Sequence, residues 1–444
     1  MEERILSLIE EKDYKTLKSI LKESDEADIA EALSDLSKSE LAKVFRLISK
    51  DKAVDVFALL DVSVATELLE YLTDRETVSL IDDMPADDAT DILEEMPANI
   101  VDKILKQCSK ETRKDINKLL KYEEDSAGSI MTVEYPEIKS NLLISQAIKI
   151  IKEKKDEYET VTTCFVIDEK RRLVGSIQLT NLLFNDKNKS ISDIVDSNIK
   201  YVYTNTDQEE VASDFQKYDI TVMPVVDSEK RLVGIITIDD IMDVLEEEAT
   251  EDMKKMAAII PVDKPYDKTG VFETFKARIP WLLLLMVSAT FTGKIIQSFE
   301  DKLATVTILT AFIPMLMDTG GNAGGQTSVS IIRALSLNDI EFKDIFKVVF
   351  KEFRVAILCS VVLGIANFIK MILIDNVGYL VALSVCVTLC LTIIIAKVIG
   401  CILPMVAKKL RFDPAVMASP FITTIVDACS LLVYFQIATL ILGL

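Results

Sequence analysis

From Pro280 to Leu444 the chain is a succession of apolar runs, and that feature limits this part of it to very few folds. Runs of this length fit a bilayer, where backbone groups must be satisfied inside the segment and helices are the natural solution. Five spans fit: Pro280 to Ser298, Leu303 to about Ile332, Val355 to Ile374, Val377 to Ala407 and Pro414 to Leu442. One carboxylate, Asp427, stands near the middle of the last run. An ionised Asp at the centre of a spanning helix costs about 2.5–3.5 kcal/mol on insertion scales, so such residues usually serve an ion or proton path. A carboxylate kept for packing between helices is the competing reading.

Composition sets the rest of the chain apart. Residues from 280 onward hold 10 of the 71 acidic and 12 of the 50 basic residues, so the formal charge of −21 arises before them. A large acidic soluble region therefore precedes a membrane domain. Its acidity argues against nucleic acid, which calls for clustered Lys and Arg. The first residues, MEERILSLIEEKDYK, carry acids where a signal peptide needs a basic start, so this half is expected in the cytoplasm. Seven cysteines lie mostly in apolar runs without CxxC spacing and read as small buried hydrophobes. With no histidine in the chain, the available ligands are carboxylate, carbonyl and amide oxygens, which suit hard cations such as Mg²⁺ or Ca²⁺. No nucleophile elbow or P-loop is present, and an enzyme is not expected.

The soluble region repeats itself twice. Blocks of 24 residues begin at Ala27, Asp51, Arg75 and Asn99, and they align Leu33, Phe57, Ile81 and Leu105, then Leu36, Leu60, Met84 and Cys108, then Val44, Leu68, Ile92 and Ile116. Two short amphipathic helices per block predict a helical solenoid ending near Tyr122. Its densest acids are Asp87, Asp88 and Asp91, read either as a cation site or as a solvated face. A second repeat sets KRRLVGSIQLTNLL (Lys170 to Leu183) against EKRLVGIITIDDIM (Glu229 to Met242), each after a β-rich run. Strands alternating with helices predict two small α/β units, which resemble a tandem of cystathionine-β-synthase-type (CBS) domains. In such domains a Ser or Thr and a following Asp hold a nucleotide's phosphate and ribose. Thr237 and Asp240 match them in the second unit, whereas Gln178 and Asn181 stand at those places in the first. An adenine nucleotide such as ATP is thus a candidate cofactor at the second unit.

After the second unit, DDIMDVLEEEATEDMKKM reads as a helix with Asp240, Asp243, Glu247 and Glu251 on one face. Like charges at that spacing repel, so a cation bridging them to another acidic surface competes with plain solvation as the explanation. Beyond Pro261 and Pro265 a short helix through Phe272 and Phe275 is expected to lead to Pro280. Basic residues crowd the start of the first span and the second and fourth connections, which places the amino-terminal half in the cytoplasm and Leu444 outside. In the second span, FIPMLMDTGGNAGGQTSVS holds Gly320, Gly321, Gly324 and Gly325. Each Gly costs about 1 kcal/mol against Ala in a helix interior, so an irregular backbone whose carbonyls face an ion is one reading and tight helix packing the other. The polar neighbours Asp318, Thr319, Asn322 and Gln326 favour a lined pore. Mg²⁺ dehydrates reluctantly, so such a pore would hold it with most of its waters in place.

The order of parts, the TGGNAGGQ element and the run DPAVMASPFITTIVD resemble the MgtE-type magnesium channels and transporters over nearly the whole chain. On that resemblance the chain is multidomain: an all-α helical-repeat domain (1–124), tandem α/β CBS domains (125–187 and 188–248), a connecting helix (249–279) and a five-helix membrane domain (280–444). The resemblance implies a homodimer in the cell membrane, with the ion site formed by Asp427, Gly321 and Gly324, beside Asn322 and Asp318. It also implies regulatory Mg²⁺ held by Asp87, Asp91, Glu209, Asp219, Asp240, Asp243, Glu248, Glu251 and Asp252. The expected function is Mg²⁺ entry into the cytoplasm, shut by cytosolic Mg²⁺. Passage of another divalent cation such as Co²⁺ or Mn²⁺, and a membrane-anchored nucleotide or metal sensor, are the alternatives.

Overall fold

The computed structural model describes residues 2–443 except 35, 95, 263–265, 267, 268, 301–305 and 418. The chain divides at Glu246/Glu247 into two compact units.

The first unit begins with ten short helices: α1 (Glu2–Glu10), α2 (Tyr14–Glu23), α3 (Glu26–Ser34), α4 (Lys38–Phe45), α5 (Lys50–Ala58), α6 (Val62–Tyr71), α7 (Asp74–Asp83), α8 (Ala86–Glu94), α9 (Ala98–Gln107) and α10 (Lys110–Leu119). From α3 onward each 24-residue block forms a helix pair. Leu33, Phe57, Ile81 and Leu105 all enter one core, as do the other two aligned sets. The pairs cannot bury their apolar faces alone and do so against their neighbours. Helices α1 and α2 extend the stack ahead of the first block, which the repeat pattern does not foretell. The helices stay short because capping residues recur between them. At α7 the Thr73 hydroxyl accepts from the Glu76 N–H while the Glu76 carboxylate accepts from the Thr73 N–H, a reciprocal capping box.

Two three-stranded sheets follow with the same topology. In the first, β1 (Glu137–Lys139) pairs parallel with β2 (Thr163–Ile167), and β2 antiparallel with β3 (Leu173–Gln178). In the second, β4 (Val202–Tyr203), β5 (Val222–Val226) and β6 (Leu232–Thr237) repeat the arrangement. Helices α11 (Ile144–Glu153) and α12 (Leu179–Phe184) belong to the first half, and α13 (Gln208–Tyr218) and α14 (Ile238–Met256) to the second. Both hairpins turn in one way: Asp168 and Asp227 each accept two backbone N–H bonds, and Arg171 and Lys230 take positive φ of 61°. The two turns meet where the Leu173 N–H donates to the Lys230 carbonyl and the Leu232 N–H to that of Arg171. Ala86 of α8 and Leu119 of α10 join the core of the second half, so the helical stack rests on that half.

Among its described residues the second unit holds five long helices: α15 (Val271–Ser298), α16 (Ile313–Ser336), α17 (Ile345–Leu373), α18 (Tyr379–Lys409) and α19 (Ser419–Leu442). All but α16 are long and apolar enough to cross a membrane by length and composition; α16 is diluted by glycine and polar residues. Several expected boundaries move. Helix α15 starts at Val271 and contains Pro280, so the separate short helix through Phe272 and Phe275 is its first turns. The expected start of the second span, Leu303, lies outside the described residues, as does Pro265, and a 3₁₀ turn (Thr307–Phe312) leads into α16. Helix α17 begins well before Val355, because Lys347, Lys351 and Arg354 sit on helical turns ahead of the apolar run. The expected connecting helix 249–279 is not one helix: its start is the end of α14 and its end the beginning of α15.

Candidate functional site

In the first unit, acidic side chains converge from three places distant in sequence. Asp87 on α8 is only 6 % exposed, and its Oδ1 has no hydrogen-bond partner among the described residues. Around it stand Glu159, from the loop before β2, Asp88, and Asp240 on the first turn of α14. Oxygens of Glu159, Asp239 and Asp240 lie within 4.8 Å of one another. Burial first, and then repulsion from these neighbours, pushes the carboxyl of Asp87 well above its usual range. The same causes raise Asp88 to about 6 and Glu159 to about 7, although the outer edge of Glu159 is exposed. Asp240 rises to about 6 through burial, against the pull of its bonds to Thr237, and Asp243 also rises through burial and its acidic neighbours. Burial and repulsion of this kind are relieved by protons or by a bound hard cation, and an all-oxygen donor set with an orphaned carboxylate oxygen fits Mg²⁺ or Ca²⁺.

Thr237 and Asp240 have a local task as well. The Thr237 N–H and hydroxyl donate to Asp240 Oδ2 at 3.2 and 2.5 Å, which ties the first turn of α14 to the end of β6 and leaves the other oxygen free of that bond. The equivalent Gln178 in the first half makes no side-chain cap to α12.

The remaining expected regulatory residues lie on, or at the end of, α8, α13 and α14. Asp91 is exposed, one turn further along α8. Glu209 lies in the first turn of the 11-residue α13 and Asp219 is its left-handed C-cap, which separates them by about 15 Å and prevents one protomer from holding a single ion with both. Glu248, Glu251 and Asp252 fall in the last turns of α14, within the second unit. There Lys255 bridges Glu251 at 2.6 Å and Asp413 at 2.7 Å, so Glu251 has a lysine partner. Beside this bridge Met256 packs on Ile332 of α16 and Ala415.

In the second unit the glycines of α16 lie in a regular helix, so the expectation of an irregular backbone with freed carbonyls is overturned. Gly320, Gly321, Gly324 and Gly325 are buried, and the first three let α18 and α19 approach. A Cβ at Gly321 would come within 2.9 Å of Thr423, and one at Gly324 within 2.7 Å of Ile422. These contacts fall on the turns of α19 that carry Asp427. Asp427 is half-buried. Asp318, Asn322 and Gln326, spaced four apart, line an exposed face of α16. The signal for this face was present in the sequence; that for Glu159 was not, because it lies some 80 residues from α14. Lys397 and Glu352 pair inside the helix bundle, and the signal in the sequence is a lysine in an apolar run, as unusual there as Asp427.

Known proteins are similar to this chain along most of its length. The family described as a divalent cation transporter matches residues 313–437, the MgtE intracellular N domain residues 24–125, and the CBS domain residues 191–247. The magnesium transporter MgtE of Thermus thermophilus is 38 % identical over 335 residues, which are 74 % of this chain and 73 % of that protein. The chain belongs to the MgtE family. The magnesium transporter MgtE of Bacillus subtilis is 36 % identical over 332 residues, 73 % of this chain and 72 % of that one. Among solved structures, the cytosolic domain of the Mg²⁺ channel MgtE in complex with ATP superposes with a TM-score of 0.52 at 32 % identity, covering 55 % of this chain and 100 % of that one.

Proposed function

We propose that two copies of this chain form a conduit that carries Mg²⁺ into the cytoplasm and closes when cytosolic Mg²⁺ is high. The observation that carries the reading is Asp427, set against the glycine contacts of α16 beside the exposed line of Asp318, Asn322 and Gln326. A polar face has no reason to meet lipid, and a second copy facing it would enclose a wet path. Asp427 supplies the field for a divalent ion there. Polar side chains receive the ion's water shell, so full dehydration is not required.

Control is assigned to the acidic group of the first unit. Asp87, Asp88, Glu159, Asp239 and Asp240 would hold Mg²⁺, whose charge offsets the repulsion that otherwise drives these elements apart. One helix, α14, carries Asp240 on its first turn and ends in Lys255 and Met256, which pack at the cytoplasmic ends of α16 and the α18–α19 connection. Moving a gate from 1:99 to 99:1 takes about 5.5 kcal/mol of differential binding, within reach of several weak divalent sites. On the relative's example, ATP would occupy the second CBS half near Thr237. Orientation follows from the basic connections, with Leu444 outside.

The test is uptake into liposomes carrying the full-length protein. Wild type should take up Mg²⁺, less so with high Mg²⁺ on the soluble side, and Asp427→Ala should not. Uptake of Co²⁺ or Mn²⁺ in place of Mg²⁺ would reassign the cargo. Unchanged Mg²⁺ uptake by Asp427→Ala would end the conduit reading.

A further inference from the structure

Three membrane helices meet at a single hydroxyl. Thr327 of α16 accepts a hydrogen bond from Lys397 Nζ of α18 at 3.1 Å and reaches Glu352 Oε2 of α17 at 3.2 Å. Lys397 and Glu352 are 3.7 Å apart, with side chains 8 % and 15 % exposed. Lys397 lies three residues before Gly400 and Thr327 three after Gly324, the pair at which α16 and α18 touch backbone to backbone. A Cβ on Gly400 would stand 2.3 Å from the Gly324 carbonyl oxygen. The charges, on α17 and α18, therefore stand one turn from a close backbone crossing and reach Thr327 on α16, the helix that carries the polar face of the conduit.

A buried ion pair is a poor way to gain stability, since apolar residues of similar volume often do better. What it supplies is directionality: ionic hydrogen bonds are satisfied at one rotation of a helix, whereas a glycine contact lets helices slide and turn. We infer that Lys397, Glu352 and Thr327 form a buried latch that fixes the rotation of α16 on α18 and so positions Asp318, Asn322 and Gln326 for the passing cation. These are positioning residues. Nothing in the latch touches the ion. The inference rests on the conduit reading.

Its test uses full-length protein in liposomes, with Mg²⁺ uptake measured against Mg²⁺ concentration and against competing Ca²⁺, normalised to protein that elutes as wild type. Lys397→Met with Glu352→Met removes both charges together, and Thr327→Val removes the shared hydroxyl alone. Both should raise the half-saturating Mg²⁺ concentration and weaken the preference over Ca²⁺, the double variant more than Thr327→Val. Lys397→Arg, which keeps charge and donors, should recover part of the loss. A merely structural pair would change the yield of folded protein and leave both quantities at wild-type values. Wild-type half-saturation and selectivity in Thr327→Val overturn the latch, whether or not the double variant folds. If wild type itself carries no Mg²⁺, the conduit reading fails instead; if wild type conducts, Asp427→Ala does not, and the latch variants match wild type, only the latch is wrong.

Discussion

Replacing Asp87 by Asn in the soluble region, residues 1–267, should separate protonation from cation binding at the acidic group. In wild type without divalent ions, the raised carboxyls bind more protons folded than unfolded between about pH 4 and pH 7. Stability therefore falls as pH rises through that window and is greatest near its acidic end. Asp240 alone moves from 3.8 to about 6, roughly two units or about 3 kcal/mol of penalty on its charged form. Because the group titrates together, the shifts do not sum. Mg²⁺ at about 100 times its Kd should add about 2.7 kcal/mol, or about 5–10 °C in Tm for a fragment of this size. Bound cation replaces bound protons, so saturating Mg²⁺ should also flatten the pH dependence. Asp87→Asn removes the most buried charge and should raise Tm in chelator at pH 7.5 while losing most of the Mg²⁺ response. Differential scanning fluorimetry at pH 5.5 and 7.5, with EDTA or Mg²⁺, reads all of this. A wild-type Tm indifferent to Mg²⁺, or one that climbs from pH 5.5 to 7.5 in EDTA, would refute the cation-site argument.

Two further outcomes are expected. Gly400→Ala places a methyl against the Gly324 carbonyl, so α16 and α18 must separate; overpacking of this kind costs about 1–3 kcal/mol, seen as a lower Tm in detergent together with reduced Mg²⁺ uptake. Thr237→Ala removes the hydroxyl that donates to Asp240 and should cost about 1 kcal/mol, and calorimetry should find ATP binding weakened as well; a variant with wild-type Tm and ATP affinity would contradict both roles.

Periodicity carried most of the architecture. Leu33, Phe57, Ile81 and Leu105 align in sequence because each must fill the same place in a stacked core, and each does. The two repeated α/β units were equally legible, whereas the hairpin turns built on Asp168 and Asp227 emerge only with the strands paired. Boundaries were less legible. Helix α17 continues past its apolar run because backbone hydrogen bonds do not stop where hydrophobicity does, and α15 accommodates Pro280 within its length. Lys397 stands in an apolar run, and its importance depends on where Glu352 falls.

What the sequence determined by itself is whatever one segment decides alone: the helical period, the strand alternation, the acidic and apolar halves, and the lone Asp427 in an apolar run. The tertiary structure decided which distant groups share a space. It brought Glu159 to Asp87 and Asp240, separated Glu209 from Asp219 along α13, and turned the glycines of α16 inward as packing contacts in place of an opened backbone. Charge interaction and close packing depend on distances of a few ångströms between residues far apart in the chain, and spacing along a sequence does not encode those distances.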